Sequence, residues 1–228
     1  MRRLLYKIKS FLADSLLLIV RYMPGSTGHA IRKWYWKKRL LFLGKNTRID
    51  SGVVFTNPKY ISIDDNCWID QGVIILAGPD RSNRKRRIVE NHKFPYEKGR
   101  VHIGKNVHIA PRSLISGIGG VCISDDCSLA SGVKVFSFSH HYRSDECPND
   151  RNFIFSPLVD KDRQYMIEGP IYLEENVGVA VNTVILPGVR VGRDSFITVN
   201  SVVFTTFEEN SLIAGNPAER IKERFKNG

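Results

Sequence analysis

Few residues in this chain have both the type and the spacing to do chemistry. Phe138-Ser139-His140-His141-Tyr142 sets two imidazoles side by side. An imidazole, with an unperturbed pKa of about 6.5, exchanges its proton near neutrality and suits the work of a general base. The same pair would also be at home on a surface with no chemical role. His102 and His108 lie six apart, but no His spacing here matches a three-ligand metal set, so no metal is expected. Gly117-Ile118-Gly119-Gly120 is not followed by a helical pattern, and reads as a tight corner rather than a phosphate loop. Cys67, Cys122, Cys127 and Cys147 form no CxxC pair, which points to reduced, mostly buried thiols in a cytoplasmic protein.

The elements that must position these residues show themselves as a repeat. An apolar residue recurs every six positions: Leu43, Ile49, Phe55, Ile61, then, after an offset of two, Ile63, Ile69 and Ile75. The period resumes at Ile103, Ile109, Ile115 and Val121, at Ile123, Leu129 and Val135, and at Leu173, Val179, Ile185, Val191, Ile197 and Val203. Four places after the apolar residue stands a small or β-branched one, as at Thr47, Cys67, Ser113, Cys127, Thr183, Ser195 and Ser201. Alternating strands give a period of two and helices 3.6; neither gives six. A triangular coil does, with one short strand and one corner per hexad, and coils stacked about 4.8 Å apart. The apolar residue then fills the prism and the small one fits near the corner. Six coils follow, 43–60, 61–78, 101–120, 121–140, 171–190 and 191–208, interrupted by segments 79–100 and 141–169. The first interruption is basic (Arg81, Arg84, Lys85, Arg86, Arg87), and reads either as an anion-holding loop or as a solvated one.

The formal charge of +11 has one source. Residues 1–48 hold twelve Lys/Arg and a single acid, Asp14, while basic and acidic side chains balance in the rest. The apolar run Phe11–Val20 is too short to span a membrane, which takes about 20 residues. Leu4, Ile8, Phe11, Leu12, Leu16, Ile19 and Met23 are instead spaced as one face of an amphipathic helix. That face would lie on an anionic membrane surface or cap the open end of the prism. No nucleic-acid module is present to use the positive charge.

The hexads closely resemble those of the hexapeptide-repeat acyltransferases, and the likeness extends over about residues 43–221. The resemblance implies a mostly β fold: a left-handed parallel β-helix of about six coils with two long loop insertions. It divides the chain into a basic helical leader (1–42), the β-helix (43–208), and an exit turn with a short C-terminal helix (209–228). Phe138-Ser139-His140 is similar to the family's Thr-His signatures, which implies His140 as catalytic base. Acetyl-CoA is implied as acyl donor. Asn176–Asn182 and Thr198–Ser201 align with coenzyme-facing coils, giving Gly178, Ala180 and Thr198 as contacts, with Arg220 and Lys222 standing in for the family's usual phosphate contacts. Those coils depart from the family pattern: relatives often have Trp at Gly178, and Gly at Ala180.

The leader, with Met23-Pro24-Gly25 and Trp34-Tyr35-Trp36, is similar to those of surface-polysaccharide O-acetyltransferases. This implies an acceptor hydroxyl on a cell-surface glycan or its precursor. The alternatives are N-acetylation of an amino-sugar nucleotide and a non-catalytic, membrane-associated scaffold. A homotrimer at the inner face of the membrane is the implied assembly.

Overall fold

A computed structural model describes residues 2–226. Two helices, α1 (Arg2–Tyr22) and α2 (Gly25–Lys37), precede a left-handed parallel β-helix. Its three faces are parallel sheets. Face A stacks Phe42–Leu43, Ile61–Ile63, Val101–Ile103, Val121–Ile123, Ile171–Leu173 and Arg190–Val191. Face B begins at Arg48–Ile49 and climbs through Trp68–Ile69, His108–Ile109, Ser128–Leu129 and Gly178–Val179 to Phe196–Ile197. Face C runs from Val54–Thr56 through Ile74–Leu76, Leu114–Ser116, Lys134–Phe136 and Val184–Ile185 to Val202–Val203. The six expected coils are therefore present, each expected apolar position pointing inward: Ile61, Ile75, Ile109, Leu129, Ile185 and Val203 are fully buried. Truncating any such side chain to Ala would cost about 2–5 kcal/mol.

Corners explain the small residues. Asn46, Asn66, Asn106, Asp126, Asn176 and Asp194 all take positive φ, from 54° to 61°, a conformation that Asn and Asp tolerate best among residues with a Cβ. Their side chains hydrogen-bond up the stack, Asn46 to Asn66, Asn66 to Asn106 and Asn106 to Asp126. Just inside the corners, wherever the small slot holds Thr, Cys or Ser, its side chain satisfies a backbone carbonyl. Thr47 donates to Asp64 O at 2.6 Å, Cys67 to Gly104 O at 2.9 Å and Ser201 to Thr198 O at 2.8 Å. Burial pushes the Cys67 thiol up to about 11 and that of Cys127 to about 12, so both act as small packing groups.

α2 closes the first coil. Trp36 is buried edge-on against Phe55, centroids 4.8 Å apart. Arg32, 2% exposed, donates from Nε to Ile49 O at 2.8 Å and from Nη1 to Met23 O at 2.7 Å. α1 docks through Val20 and Leu17, which differ from the face expected from spacing. Phe11, Leu16 and Ile19 of that expected face remain exposed; the side chains of Leu4, Ile8 and Leu12 lie outside the described residues.

The C-terminal helix expected at 219–226 is absent. Ser211–Gly215 starts a seventh coil on face B, and Ala218–Glu223 doubles back on it as an antiparallel strand. The last strand of an open prism leaves a row of unpaired N–H and C=O groups, and the returning strand takes them up. That edge requirement overrides the local helical look of Glu219–Lys226.

Candidate active site

Both interruptions leave the prism at the corner between faces C and A, and they meet there. Lys85–Ile88 from the first pairs parallel with Tyr165–Glu168 from the second, which pairs antiparallel with Phe138–His140 at the end of the fourth coil. The register aligns Arg87, Ile167 and Ser139 in one row, and Arg86, Met166 and His140 in the next. Successive side chains point to opposite faces of a strand. One face carries Met166, Phe138 and Glu168, all buried. The other borders a cleft of about 440 Å³.

His140 and His141 both line this cleft, beside Ser139, Arg87, Ile167, Leu186 and Phe204. His141 is buried; its Nδ1–H donates to Arg143 O at 2.6 Å, and its backbone N–H to Tyr165 O at 2.9 Å. The Nδ1 bond selects the tautomer whose Nε2 is a free acceptor. His140 differs: it lines the cleft, yet its Nε2 is buried without a protein partner among the described residues. Buried polar atoms are nearly always paired, and exceptions in native folds often mark chemistry.

The remaining expected site residues lie elsewhere. Gly178 is on face B, where the ring of Phe196 lies across it; a Cβ at Gly178 would come within 2.7 Å of that ring. Ala180 and Thr198 follow at the corner between faces B and C. Thr198 O accepts from Thr183 Oγ1 and Ser201 Oγ, at 3.0 and 2.8 Å. Arg220 and Lys222 are exposed on the returning strand, with Arg220 3.9 Å from Glu223. His140 thus stands at the C-terminal edge of face C, and Ala180 at its N-terminal edge. A single chain does not bring them together.

The basic loop is divided by the fold. Arg86 bridges Asp80 at 3.2 Å and buried Glu168 at 2.6 Å, and Arg84 reaches Asp80 at 3.2 Å. Arg87 instead enters the cleft, a role that the run of cations hid and the alternation of Lys85-Arg86-Arg87-Ile88 could have separated. His102 bonds Ser62 Oγ through Nδ1 at 3.0 Å beneath Tyr96, and His108 stacks on Trp68 with centroids 4.7 Å apart; neither reaches the cleft. Among the described residues no three His, Cys, Asp or Glu side chains gather as metal ligands.

No family model matches the chain. It is similar to the dTDP-4-amino-4,6-dideoxy-D-glucose acyltransferase of Escherichia coli, 27% identical over 184 residues, which cover 81% of this chain and 82% of the relative. It is 38% identical to the galactoside O-acetyltransferase of Lactococcus lactis over 116 residues, about half of each chain (50% and 51%). Among solved structures, a point mutant of AntD, an N-acyltransferase from Bacillus cereus in complex with dTDP and coenzyme A, has a TM-score of 0.68 at 22% identity, covering 86% of this chain and 90% of that one. The last likeness shows the fold. Hexads, prism and curated relatives agree on an acyltransferase that uses acyl-CoA and is similar to the hexapeptide-repeat acyltransferases.

Proposed function

We propose that this enzyme transfers an acyl group from coenzyme A to the amine of a nucleotide-linked amino sugar. The similarity to an amino-sugar acyltransferase along 82% of that relative's length carries the reading, and it reverses the order expected from the leader, where a glycan hydroxyl came first. In the proposed reaction the neutral amine attacks the thioester carbonyl and the C–S bond breaks. Backbone N–H groups polarise the carbonyl oxygen, coenzyme A departs as thiolate, and an imidazole takes the proton lost by nitrogen.

His140 is the proposed base, by its place in the repeat and by its unpartnered Nε2. A second reading gives the role to His141, whose tautomer is already set by Arg143. Gly178, Ala180, Thr198, Arg220 and Lys222 are proposed to meet the donor, acetyl-CoA. O-acetylation of a sugar hydroxyl, on a surface polysaccharide or its precursor, is the competing reaction and draws support from the galactoside O-acetyltransferase. Thiol release from acetyl-CoA with dTDP-4-amino-4,6-dideoxyglucose and with a set of neutral sugars separates the two. Release only with hydroxyl acceptors overturns the amine reading.

The assembly follows from the separated half-sites. Face C turns Val54, Ile74, Leu114, Lys134, Val184 and Val202 outward, a row apolar but for Lys134, with Thr56, Leu76, Ser116 and Phe136 in the next. We propose a homotrimer closed around this apolar face, in which the His140 edge of one chain meets the Ala180 edge of its neighbour. No helix of the described residues is long and apolar enough to cross a membrane. α1 nevertheless exposes Phe11 (70%), Leu16 (46%), Leu18 (61%), Ile19 (48%) and Tyr22 (58%), and it carries five Lys/Arg (Arg2, Arg3, Lys7, Lys9 and Arg21) against the single acid Asp14. The proposed location is therefore cytoplasmic, with α1 resting on the anionic inner face of the membrane.

A further inference from the structure

Residues 81–87 carry five cations, and four have structural company. Arg84 and Arg86 are tied to Asp80 and Glu168 within the loop framework. Lys85 lies over the ring of Phe153, and Arg81 donates to the Tyr60 hydroxyl at 3.2 Å. Arg87 is placed differently. Its row in the accessory sheet turns it into the His140–His141 cleft, against Val89, Ile167 and Phe204. Among the described residues its ion pair is with Asp145, at 3.5 Å, and the two side chains are 49% and 43% exposed. Solvent screens a contact so long and open, which leaves the guanidinium available to a stronger anion.

We infer that Arg87 is the anion anchor of this cleft. It exchanges Asp145 for the diphosphate of a nucleotide-linked acceptor and so aims the sugar amine at the imidazole pair. A guanidinium fork matches phosphate oxygens two at a time. A diphosphate carries more negative charge than the Asp145 carboxylate, which favours the exchange at this half-exposed position. The cleft volume of about 440 Å³ falls in the range used for small-molecule sites. Asp145 then acts as a placeholder that keeps the empty cleft neutral. The inference rests on the nucleotide-sugar reading and adds the residue that would enforce it.

The test uses the full chain and two variants, Arg87→Gln and Arg87→Lys. With dTDP-4-amino-4,6-dideoxyglucose as acceptor, Arg87→Gln should raise the acceptor KM at least about tenfold, with kcat changing far less and the KM for acetyl-CoA unmoved. The inhibition constant of free dTDP against that acceptor should rise in parallel. Arg87→Lys should fall between, since it keeps the charge and loses the fork. An unchanged acceptor KM and dTDP inhibition constant in Arg87→Gln, with the wild type active, overturns the anchor alone. A rise confined to the acetyl-CoA KM also overturns it, placing Arg87 against the donor. A wild type that acylates neutral sugars and ignores nucleotide-linked amines overturns the acceptor reading itself, and the anchor with it.

Discussion

Replacing His140 with Leu should make the enzyme more stable and nearly inactive at once. The first half comes from Nε2 of His140, which is buried and has no partner in the protein. An unsatisfied buried polar atom costs about 1–3 kcal/mol, and an apolar side chain of similar bulk removes that cost. Part of the gain is offset because Leu matches the imidazole's shape imperfectly, leaving a net of about 1–2 kcal/mol. For a chain of 228 residues this corresponds to a rise in Tm of roughly 2–8 °C.

The second half comes from the chemistry: loss of a general base lowers turnover by about 10²–10⁴-fold. Differential scanning fluorimetry with urea titration reads the stability, and thiol release from acetyl-CoA reads the turnover. A variant that gains stability and keeps its rate would show that the orphaned nitrogen is idle, and would pass the base role to His141. A variant that loses stability would show that Nε2 is satisfied in solution, and the reasoning would fail at its first step. His141→Asn is the matching control. Its amide can still donate to Arg143 O while lacking anything at Nε2, so it should fold normally and stay active only if His141 merely positions its neighbour.

Three further outcomes are expected. Ile74→Glu, on the outward row of face C between Val54 and Leu114, should convert the assembly to single chains of 25.9 kDa by light scattering; an unchanged mass would refute the proposed interface. Removing residues 1–22 should abolish sedimentation with vesicles containing phosphatidylserine, and full retention would acquit α1. His102 is held below the usual imidazole range chiefly by burial, with Arg100 adding to it and Asp64 opposing. Its unfolded form therefore binds a proton more readily than its folded form. The stability this protects is complete above about pH 6.5 and declines as pH falls below that value. His102→Gln should flatten the fall in urea midpoint between pH 7.5 and 5.5, and an unaltered slope would locate the acid sensitivity elsewhere.

The prism was legible because its constraint is local and repeated. Ile61, Val101 and Val121 can sit above one another only if each coil uses its hexads in the same way, so spacing carries the fold. The small slot was legible for the same reason, down to Cys67 and Cys127. The Asn and Asp corners were equally open to view, since the αL preference of Asn46, Asn66 and Asn106 sits three places after each apolar residue. What could not be read depended on partners distant in sequence. Ala218–Glu223 becomes a strand because Ser211–Gly215 needs an edge partner. The cleft exists because segments 79–100 and 141–169, separated by two coils, leave at one corner and pair. The docking side of α1 was misjudged because Val20 meets the first coil at an angle that helical spacing alone does not set. His140 is singled out by likeness alone, while its unpartnered Nε2 and the Nδ1 bond of His141 depend on how the two loops pack.

The positions of His140 and Ala180 at opposite ends of the face C strands have a genetic consequence. In the proposed trimer each protomer would lend one flank to the neighbour on its left and the other flank to the neighbour on its right. A polypeptide crippled at the imidazole and another crippled at the far corner would each be dead alone. Co-expressed, they would rebuild intact junctions wherever a sound flank of one met the sound flank of the other. Recessive lesions in such a gene could then rescue one another, something a self-sufficient monomer never permits.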